Sequence, residues 1–188
     1  MRRILVLMSV LVLFACGDEY VPKPVGYFRI GLPEKEYVTL DSTGCNFSLN
    51  LNKSAEFKMV PDKDCWANVE YPSLKATIQL TYYNIHEKDF ESLIREGQRM
   101  AYSHTARADG LQEKFFANDE KRVYGICYRM VGPVATSTQF YMTDSTDHFL
   151  RGVLYFYSSP NPDSLKNVNE FMQGEVVELI ESLKWKNG

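Results

Sequence analysis

Alternation of apolar and polar residues predicts strands in the first half of the chain. The segment Cys45–Leu51 alternates strictly, as a half-buried strand does. Its inward face would carry Phe47, Leu49 and Leu51. The same period of two runs through Leu74–Tyr83 and predicts a second strand there. Shorter candidates are an extended entry segment at Tyr27–Ile30 and two strands at Phe57–Val60 and Trp66–Tyr71.

A change of period predicts a helix after these strands. Apolar side chains now recur every three or four positions, and charged residues occupy the opposite face. The stripe consists of Phe90, Leu93, Ile94, Gly97, Met100, Ala101 and His104. Asp109 and Gly110 form a stop, because glycine accepts the left-handed conformation past a helix end. The pattern therefore predicts a helix from about Lys88 to about Ala108.

Four more strand-like segments follow the predicted helix. They are Glu113–Ala117, Val123–Val131, Thr136–Met142 and Phe149–Tyr157. The short links between them contain glycine, proline and polar residues, which favours an antiparallel meander. The last segment is apolar at both odd and even positions, which predicts a central strand covered on both faces.

The C-terminal segment predicts a long amphipathic helix. Asn161, Pro162 and Asp163 form a stop followed by a helix cap. The apolar stripe then consists of Leu165, Val168, Met172, Val176, Leu179, Ile180 and Leu183. All elements together predict an α+β fold: a mainly antiparallel sheet with a central amphipathic helix and a long C-terminal helix packed on it. This order is similar to the PsbP-like α/β/α sandwich, a resemblance of fold that implies no function.

The N-terminal residues predict export and a membrane tether. Two arginines precede the apolar run Ile4–Phe14, which has the length of a signal-peptide core and is too short to span a bilayer. The run leads into Cys16 in a pattern that resembles the lipobox of bacterial lipoproteins, whose cysteine carries a lipid. The alternative is an ordinary signal peptide that happens to end near a cysteine. The predicted boundaries are a signal peptide at 1–15, a lipid-anchored tether at 16–25 and a globular domain at 26–188.

Composition excludes several function classes. Removal of the two arginines in the signal takes the net charge from −3 to −5. No basic run or basic face is present, so nothing indicates binding of nucleic acid. No second apolar stretch is long enough to cross a membrane. Because no phosphate-binding glycine loop or paired-carboxylate pattern stands out, the sequence predicts neither a cofactor nor catalysis.

Three cysteines remain after Cys16, and export would place them where thiols tend to form disulfides. Cys45 and Cys65 lie 20 positions apart, each at the start of a strand-like segment, and we predict a bridge between them. Cys127 lies in an apolar stretch, where a buried free thiol is expected. Three single pairings are open, and spacing alone does not choose among them. Metal binding is disfavoured because the sequence contains no Cys-x-x-Cys motif and no close Cys/His spacing.

The densest polar cluster is the segment 143–148, Thr-Asp-Ser-Thr-Asp-His. In a hydrolase, Ser145 would be the nucleophile and His148 its base. No Gly-x-Ser-x-Gly motif surrounds this serine. The favoured interpretation is a turn between strands whose aspartate and serine side chains bond to its own backbone.

Two other polar residues lie inside apolar patterns. His104 is on the stripe of the first helix, and with His148 and Asp144 it would form a zinc site. A buried, hydrogen-bonded histidine is the more common outcome. Arg151 lies inside the last strand, where a buried cation needs a carboxylate partner or an edge position. Asp144 and Asp147 are the nearest candidate partners in sequence.

Tyrosines are numerous enough to furnish a protein-binding face, a role in which tyrosine is favoured. Packing between neighbouring strands is the more common use of such residues. The tyrosines considered for this role are Tyr82, Tyr83, Tyr102, Tyr155 and Tyr157.

An ordered set of motifs runs along the mature chain. It comprises Tyr20-Val21-Pro22-Lys23-Pro24, Gly26-Tyr27-Phe28-Arg29-Ile30, Cys45-Asn46-Phe47-Ser48, Cys65-Trp66, Tyr102-Ser103-His104-Thr105, Gln139–Ser145, His148–Phe156, Pro160–Ser164 and Trp185. The set resembles the gliding-motility lipoprotein GldD family of Bacteroidetes. The resemblance implies a cell-envelope lipoprotein needed for gliding motility and the type IX secretion machinery. It also supports the cysteine pair, and it supplies no catalytic residues.

We therefore expect a non-enzymatic accessory or scaffold lipoprotein, anchored by Cys16 in the outer membrane, facing the periplasm, and touching other gliding and secretion proteins. The aromatic sheet surface and the exposed side of the C-terminal helix are the expected contact faces. Asp-Ser pairs resemble an O-glycosylation pattern, with Ser42 the first candidate beside Ser145 and Ser164. One alternative is a module that binds a lipid, glycan or peptide in a deep apolar pocket between sheet and helix. The other is a hydrolase built on Ser145, His148 and an aspartate.

Overall fold

The computed structural model describes residues 30–41, 44–87, 89–103, 108–132, 136–157 and 162–186. The predicted signal peptide and tether, including Cys16, lie outside the described residues. Ser42 and His104 also lie outside them. In the described part of the chain, no helix combines the length and the apolar character needed to cross a membrane.

Over these residues the chain forms ten strands and two α-helices. They are β1 Tyr37–Leu40, β2 Phe47–Asn52, β3 Glu56–Met59, β4 Ala67–Tyr71, β5 Ala76–Asn84, α1 Phe90–Ser103, β6 Gly110–Asn118, β7 Val123–Val131, β8 Thr136–Thr143, β9 His148–Phe156, α2 Pro162–Ser182 and β10 Lys184–Trp185. Short 3-10 helices at Pro72–Leu74 and Ile85–Glu87 flank β5. The predicted α+β fold class, with mostly antiparallel strands and two helices, is confirmed.

Seven strands form the larger sheet, in the spatial order β3-β4-β5-β9-β8-β7-β6, and every neighbouring pair is antiparallel. Strands β6 to β9 form the predicted meander. Strand β9 lies between β5 and β8, and both Phe149 and Leu150 are buried although they point to opposite faces. The prediction of a central strand covered on both faces is therefore confirmed.

Each helix packs on a different face of this sheet. Ile78 of β5 and Leu154 of β9 join Met172 of α2 in the larger hydrophobic cluster. Phe149 of β9 joins Leu93 of α1 in the smaller cluster on the other face. Alternate residues of one strand thus enter two cores, because strand side chains have a period of two. Full burial of one such aliphatic side chain stabilises the fold by roughly 1.5–3 kcal/mol.

A second sheet joins the start of the described chain to its end, in the order β1-β2-β10. Tyr37 of β1 lies opposite Asn52, and Trp185 of β10 lies opposite Phe47. The sequence pattern predicted β2 but neither of its two partners. The missed strands have four and two residues, too few for a recognisable period, so their pairing with β2 defines them.

The first helix is shorter than predicted. Ala108 is not helical, and residues 104–107 lie outside the described residues. The buried residues of α1 are Leu93, Gly97 and Ala101, all on the predicted stripe. Strand β6 is correspondingly longer than predicted, since its ladder with β7 begins with Gly110 opposite Val131. The start of β6 is therefore set by its pairing with β7 rather than by the local sequence pattern.

Cys45 and Cys65 are joined by a disulfide, with their Cα atoms 5.5 Å apart. Cys45 precedes β2 of the smaller sheet and Cys65 precedes β4 of the larger one, so the bridge ties the two sheets together. Cys127 in β7 is a free, buried cysteine. Burial raises the pKa of its thiol to about 11, although Arg129 acts in the opposite direction.

Candidate functional site

The polar cluster 143–148 forms the turn between β8 and β9. Oδ1 of Asp144 accepts hydrogen bonds from the backbone N–H groups of Thr146, Asp147 and His148, at 3.1, 2.9 and 2.9 Å. The hydroxyl of Thr146 donates to Oδ2 at 3.1 Å. Burial raises the pKa of Asp144, but these donors outweigh it and leave the pKa of the carboxyl group lowered. The cluster is a turn held by its own aspartate.

This turn does not bring Ser145 and His148 into a catalytic arrangement. Ser145 is exposed and has a φ of 70°. His148 is 3% exposed, and its Nδ1 atom lies 2.7 Å from the hydroxyl of Tyr82. Among the described residues there is no hydrogen bond between the serine and the histidine. Since Asp144 is bonded to the backbone of the turn, the three side chains do not form a hydrolase triad here.

The zinc hypothesis has no counterpart in the described part of the structure. His104 lies outside the described residues. The carboxylate of Asp144 and Nδ1 of His148 are already bonded to protein groups. Within the described ranges, no group of three His, Cys, Asp or Glu side chains is placed to hold a metal ion.

Four rings form a column from the core to the surface beside the turn. The ring centroids of Phe47 and Tyr82 are 5.8 Å apart, and those of Tyr82 and His148 are 6.0 Å apart. His148 then stacks on Trp185 at 5.1 Å. Nε2 of His148 is buried with no hydrogen-bond partner among the described residues. The indole N–H of Trp185 donates to the carbonyl oxygen of Arg122 at 3.0 Å, so the column ends at the β6–β7 turn.

Trp185 lines a cleft of about 400 Å³ at this end of the sheet. Three segments that are distant in sequence meet there: the β6–β7 turn, the β8–β9 turn and β10. The lining residues are Glu120, Lys121, Arg122, Asp144, Lys184 and Trp185. A cleft of this volume lies within the range of small-molecule sites, roughly 300–1,000 Å³.

Three cations and two carboxylates, Glu120 and Asp144, line this cleft. Nζ of Lys121 donates to the carbonyl oxygen of Glu181 at 2.6 Å, near the end of α2. Arg122 donates to a threonine hydroxyl of the β8–β9 turn at 2.9 Å. Within the described residues, neither of these cations nor Lys184 forms an ion pair. The buried carboxylate of Asp144 is bonded to its own turn, and Glu120 is exposed and forms no ion pair in the described residues. The three cations of the cleft are therefore not paired with either carboxylate.

A separate aromatic surface lies on the α1 side of the β6–β7 hairpin. Phe115 is 70% exposed and lies opposite Ile126. Tyr102 of α1 is 51% exposed, and its hydroxyl donates to the carboxylate of Glu113 at 2.5 Å. Its ring meets the ring of Tyr128 edge-on at 6.2 Å. We call Tyr102, Phe115 and Ile126 the hairpin patch.

The other tyrosines and the exposed side of α2 were also expected to make contacts, but they differ from the hairpin patch in burial, position or polarity. Tyr82 is buried in the ring column, and Tyr83 packs edge-on against Trp66 at 6.0 Å. Tyr157 is 69% exposed, but it follows β9, which lies three strands from β6 in the sheet. The described exposed side chains of α2 are polar: Lys166, Asn167, Glu170 and Glu181. The hairpin patch is therefore a better candidate for an apolar contact than the exposed side of α2.

Arg151 has a different partner from those predicted. Its guanidinium group lies 3.8 Å from the carboxylate of Glu96 on α1. Asp144 is held in its turn, and Asp147 pairs with His86 at 2.6 Å. Proximity in sequence was misleading, because Arg151 lies within β9 and points to the face that α1 covers.

At the centre of the interface between the larger sheet and α2, the described side chains are closely packed, and a cleft of about 200 Å³ lies beside β6. Phe140 and Met142 of β8 and Met172 and Val176 of α2 are at most 1% exposed and belong to one cluster. A deep apolar pocket was predicted at this interface for a module that binds a lipid, glycan or peptide. The observed packing does not favour that alternative.

Sequence reasoning missed the cationic residues of the cleft, Arg122 and Lys184. Neither lies in a recognisable motif, and they come together only because β10 pairs with β2 and places Trp185 beside the turns. The available signal was the tryptophan after the amphipathic helix, which entered only as part of the family resemblance. No local pattern connects Trp185 with Asp144 and Arg122, which lie about 40 and 60 positions earlier.

Comparison with family models gives a match to the gliding motility lipoprotein GldD model over residues 17–185. Comparison with curated proteins gives no significant match. Among solved structures, the solution structure of cyanobacterial PsbP (CyanoP) from Synechocystis sp. PCC 6803 is similar at 14% identity, with a TM-score of 0.43. That similarity covers 87% of this chain and 99% of the other. By the extent of the family match, the chain belongs to the gliding motility lipoprotein GldD family and is a lipoprotein associated with the cell envelope.

Proposed function

We propose that the chain is an accessory or scaffold lipoprotein of the gliding motility apparatus and its associated type IX secretion machinery. The observation that carries the proposal is the family match over residues 17–185. In this role the domain makes protein contacts and performs no catalysis. The described geometry is compatible with that role, since its densest polar cluster organises a turn.

The membrane attachment in this proposal is a lipid on Cys16, with the protein at the outer membrane and facing the periplasm. The family match begins at the residue that follows this cysteine. Three acyl chains bury many methylene groups, each worth roughly 0.8 kcal/mol. Cys16→Ala should abolish incorporation of labelled palmitate and release the protein from the membrane fraction. Retention of the label in this variant would contradict the proposed attachment.

The hairpin patch is the surface that we assign to the protein contact. Its apolar side chains lie beside the edge of the larger sheet, and Phe115 is the most exposed of the large hydrophobic residues described. Aromatic anchors of this kind contribute strongly to protein interfaces when a partner covers them. Lys114 and Glu113 in the same strand limit uncontrolled pairing of the edge, as charges on edge strands commonly do.

The test is crosslinking in intact cells, followed by affinity capture of the tagged lipoprotein from solubilised envelopes. Wild type should recover gliding or secretion subunits, and Phe115→Thr should recover much less of them. Threonine keeps the preference for strand structure while removing the aromatic ring. Tyr157→Thr is the matched control, because Tyr157 is equally exposed but follows β9, which lies three strands from β6 in the sheet.

Two results would contradict the assignment. An equal loss of recovered subunits in Phe115→Thr and Tyr157→Thr would show that Phe115 has no particular role in the contact. Capture of only bulk envelope proteins by the wild type would contradict the scaffold function itself. Circular dichroism of each purified variant separates a lost contact from a lost fold.

A further inference from the structure

We propose that the cationic cleft lined by Arg122, Lys184 and Trp185 binds a small ligand that carries a phosphate or carboxylate group. The cleft is distinct from the hairpin patch, since it lies at the turns beyond the ends of β7 and β8. The inference does not depend on the proposed scaffold function. It rests on the charges, the shape and the rigid support of the cleft.

The charge distribution favours an anion. Lys121 has a structural role, because its ammonium group binds the Glu181 carbonyl oxygen at the end of α2, where a cation complements the helix. Arg122 has one described side-chain bond, to a neutral hydroxyl, and Lys184 is exposed. These two cations are thus available for an oxyanion. Arginine suits phosphate and carboxylate in particular, because its planar group can donate two parallel hydrogen bonds.

The support of the cleft is unusually rigid for a surface site. Trp185 is fixed by its indole hydrogen bond to the β6–β7 turn and by stacking on His148. His148 is itself held by Tyr82, and the adjoining turn is held by Asp144. A partly exposed indole in this position offers an apolar surface to the carbon skeleton of the ligand. Preorganised groups of this kind lower the cost of ordering on binding.

The ring of His148 lies behind the indole of Trp185 and does not itself line the cleft. Its Nε2 atom is enclosed without a hydrogen-bond partner among the described residues, directly behind the indole that lines the cleft. A buried polar atom that lacks a partner is costly and rare in proteins. A volume of about 400 Å³ accommodates a ligand of monosaccharide size.

The experiment measures ligand binding to the full lipid-anchored chain in an uncharged detergent, by tryptophan fluorescence. The chain has two tryptophans, so Trp66→Phe is the background in which Trp185 alone reports. The probes are glucose 6-phosphate, glucuronate and inorganic phosphate, with neutral glucose as the uncharged comparison. Probes with an anionic group should change the signal, and glucose should not.

The variant Arg122→Gln/Lys184→Gln removes both available charges. It should weaken binding of the anionic probes by about tenfold or more, since each lost charge-assisted hydrogen bond has roughly that effect. Lys75→Gln is the matched control. Lys75 lies just before β5, at the end of that strand that is remote from the cleft. Binding should also weaken with rising salt, as expected for exposed charges.

A saturable response to an anionic probe that is lost in the double variant and kept in the control would establish the site. The response to phosphate alone, compared with glucose 6-phosphate, then shows whether the anion or the whole ligand is recognised. Absence of a response to all three anionic probes would overturn the proposal. Equal weakening by the double variant and by Lys75→Gln would overturn it as well.

Discussion

Single residues determine the shape of the turn between β8 and β9. Asp144 accepts hydrogen bonds from three backbone N–H groups. Ser145 adopts a left-handed backbone conformation that favours glycine. The hydroxyl, carboxylate and imidazole groups of this cluster are therefore used to build the turn and to support Trp185. These residue types are common in active sites, but here Asp144 is bonded to the backbone of the turn and Nδ1 of His148 is bonded to Tyr82.

We expect Asp144→Ala to lower the free energy of unfolding by about 1–3 kcal/mol, because buried N–H groups lose their acceptor. Ser145→Gly is the control in the same turn. It should leave stability unchanged or raise it slightly, since glycine adopts the φ of 70° without strain. Urea unfolding of both variants checks this. Similar losses in the two would contradict the role given to the aspartate.

Glu175 is a second residue whose role in the fold depends on its surroundings rather than on its residue type. This carboxylate of α2 is 3% exposed and accepts hydrogen bonds from the hydroxyls of Tyr37 and Tyr71, each at 3.0 Å. Burial raises the pKa of Glu175, although the hydroxyl donors and the charge of Lys35 oppose the effect. The residue thereby links β1 and β4 to the C-terminal helix.

The raised pKa of Glu175 predicts a pH-dependent stability. The folded state binds the proton more tightly than the unfolded state, whose carboxyl titrates near 4.5. This contribution is complete below that pH and is lost as the pH rises through the folded pKa. The stability of the wild type relative to Glu175→Gln should therefore fall as the pH rises above about 4.5, as measured by urea unfolding.

Glu175→Gln also removes a negative charge from α2, and a second variant is needed to control for that loss of charge alone. Glu178→Gln removes a charge from the same helix, at a carboxylate that accepts a bond from Asn50 at 3.0 Å. Parallel pH profiles for the wild type and Glu175→Gln would show that the buried carboxylate does not titrate as described.

At the scale of elements, the closeness of neighbouring strands depends on small residues. Gly152 of β9 lies opposite Phe140 of β8, and a Cβ atom at this glycine would collide with the phenylalanine ring. At Gly125 of β7, a Cβ atom would meet the backbone of Tyr141 in β8. The ring of Phe140 and the backbone of Tyr141 thus occupy space that glycine leaves open.

We expect Gly152→Ala to lower the free energy of unfolding by about 1–3 kcal/mol, because the added methyl group overpacks the space beside Phe140. Gly110→Ala is the matched control in a strand, since a Cβ atom there meets nothing within 4 Å. It should leave stability unchanged or improve it. Thermal and urea unfolding give the comparison, and a neutral Gly152→Ala would contradict the close approach.

At the scale of the whole molecule, the smaller sheet shares the larger hydrophobic cluster with the rest and is joined to it by further contacts. The disulfide links the segments before β2 and β4, Trp185 of β10 stacks on His148 of β9, and Glu175 of α2 bonds to Tyr37 of β1. The bridge closes a loop with a sequence separation of 20. A cross-link of that length restricts the unfolded chain, which is the main origin of its stabilising effect in the chain-entropy model.

We expect the double variant Cys45→Ser/Cys65→Ser to lose about 3 kcal/mol in the free energy of unfolding. Reduction of the wild type should shift its urea midpoint by a similar amount. Cys127→Ala removes a buried thiol without removing a cross-link and should cost less. An unchanged midpoint after reduction would show that the bridge does not stabilise the fold.

Much of the fold could be predicted from periodicity. The limits of β7 were predicted to the residue, and those of β5, β8 and β9 to within two, because each strand is long and alternates or is uniformly apolar. The two helices followed from stripes at three and four positions. By contrast, β1 and β10 are too short to show a period, and the length of β6 depends on its partner strand.

The sequence by itself determined the α+β class, the order of the main elements, the two amphipathic helices and the membership of an envelope lipoprotein family. These properties depend on local periodicity and on motifs that stay recognisable along the chain. Only the tertiary structure decided the carboxylate partner of Arg151, the burial of Glu175, the hairpin patch and the cationic cleft. Each of these depends on residues far apart in sequence, which the strand register and the docking of α2 bring together.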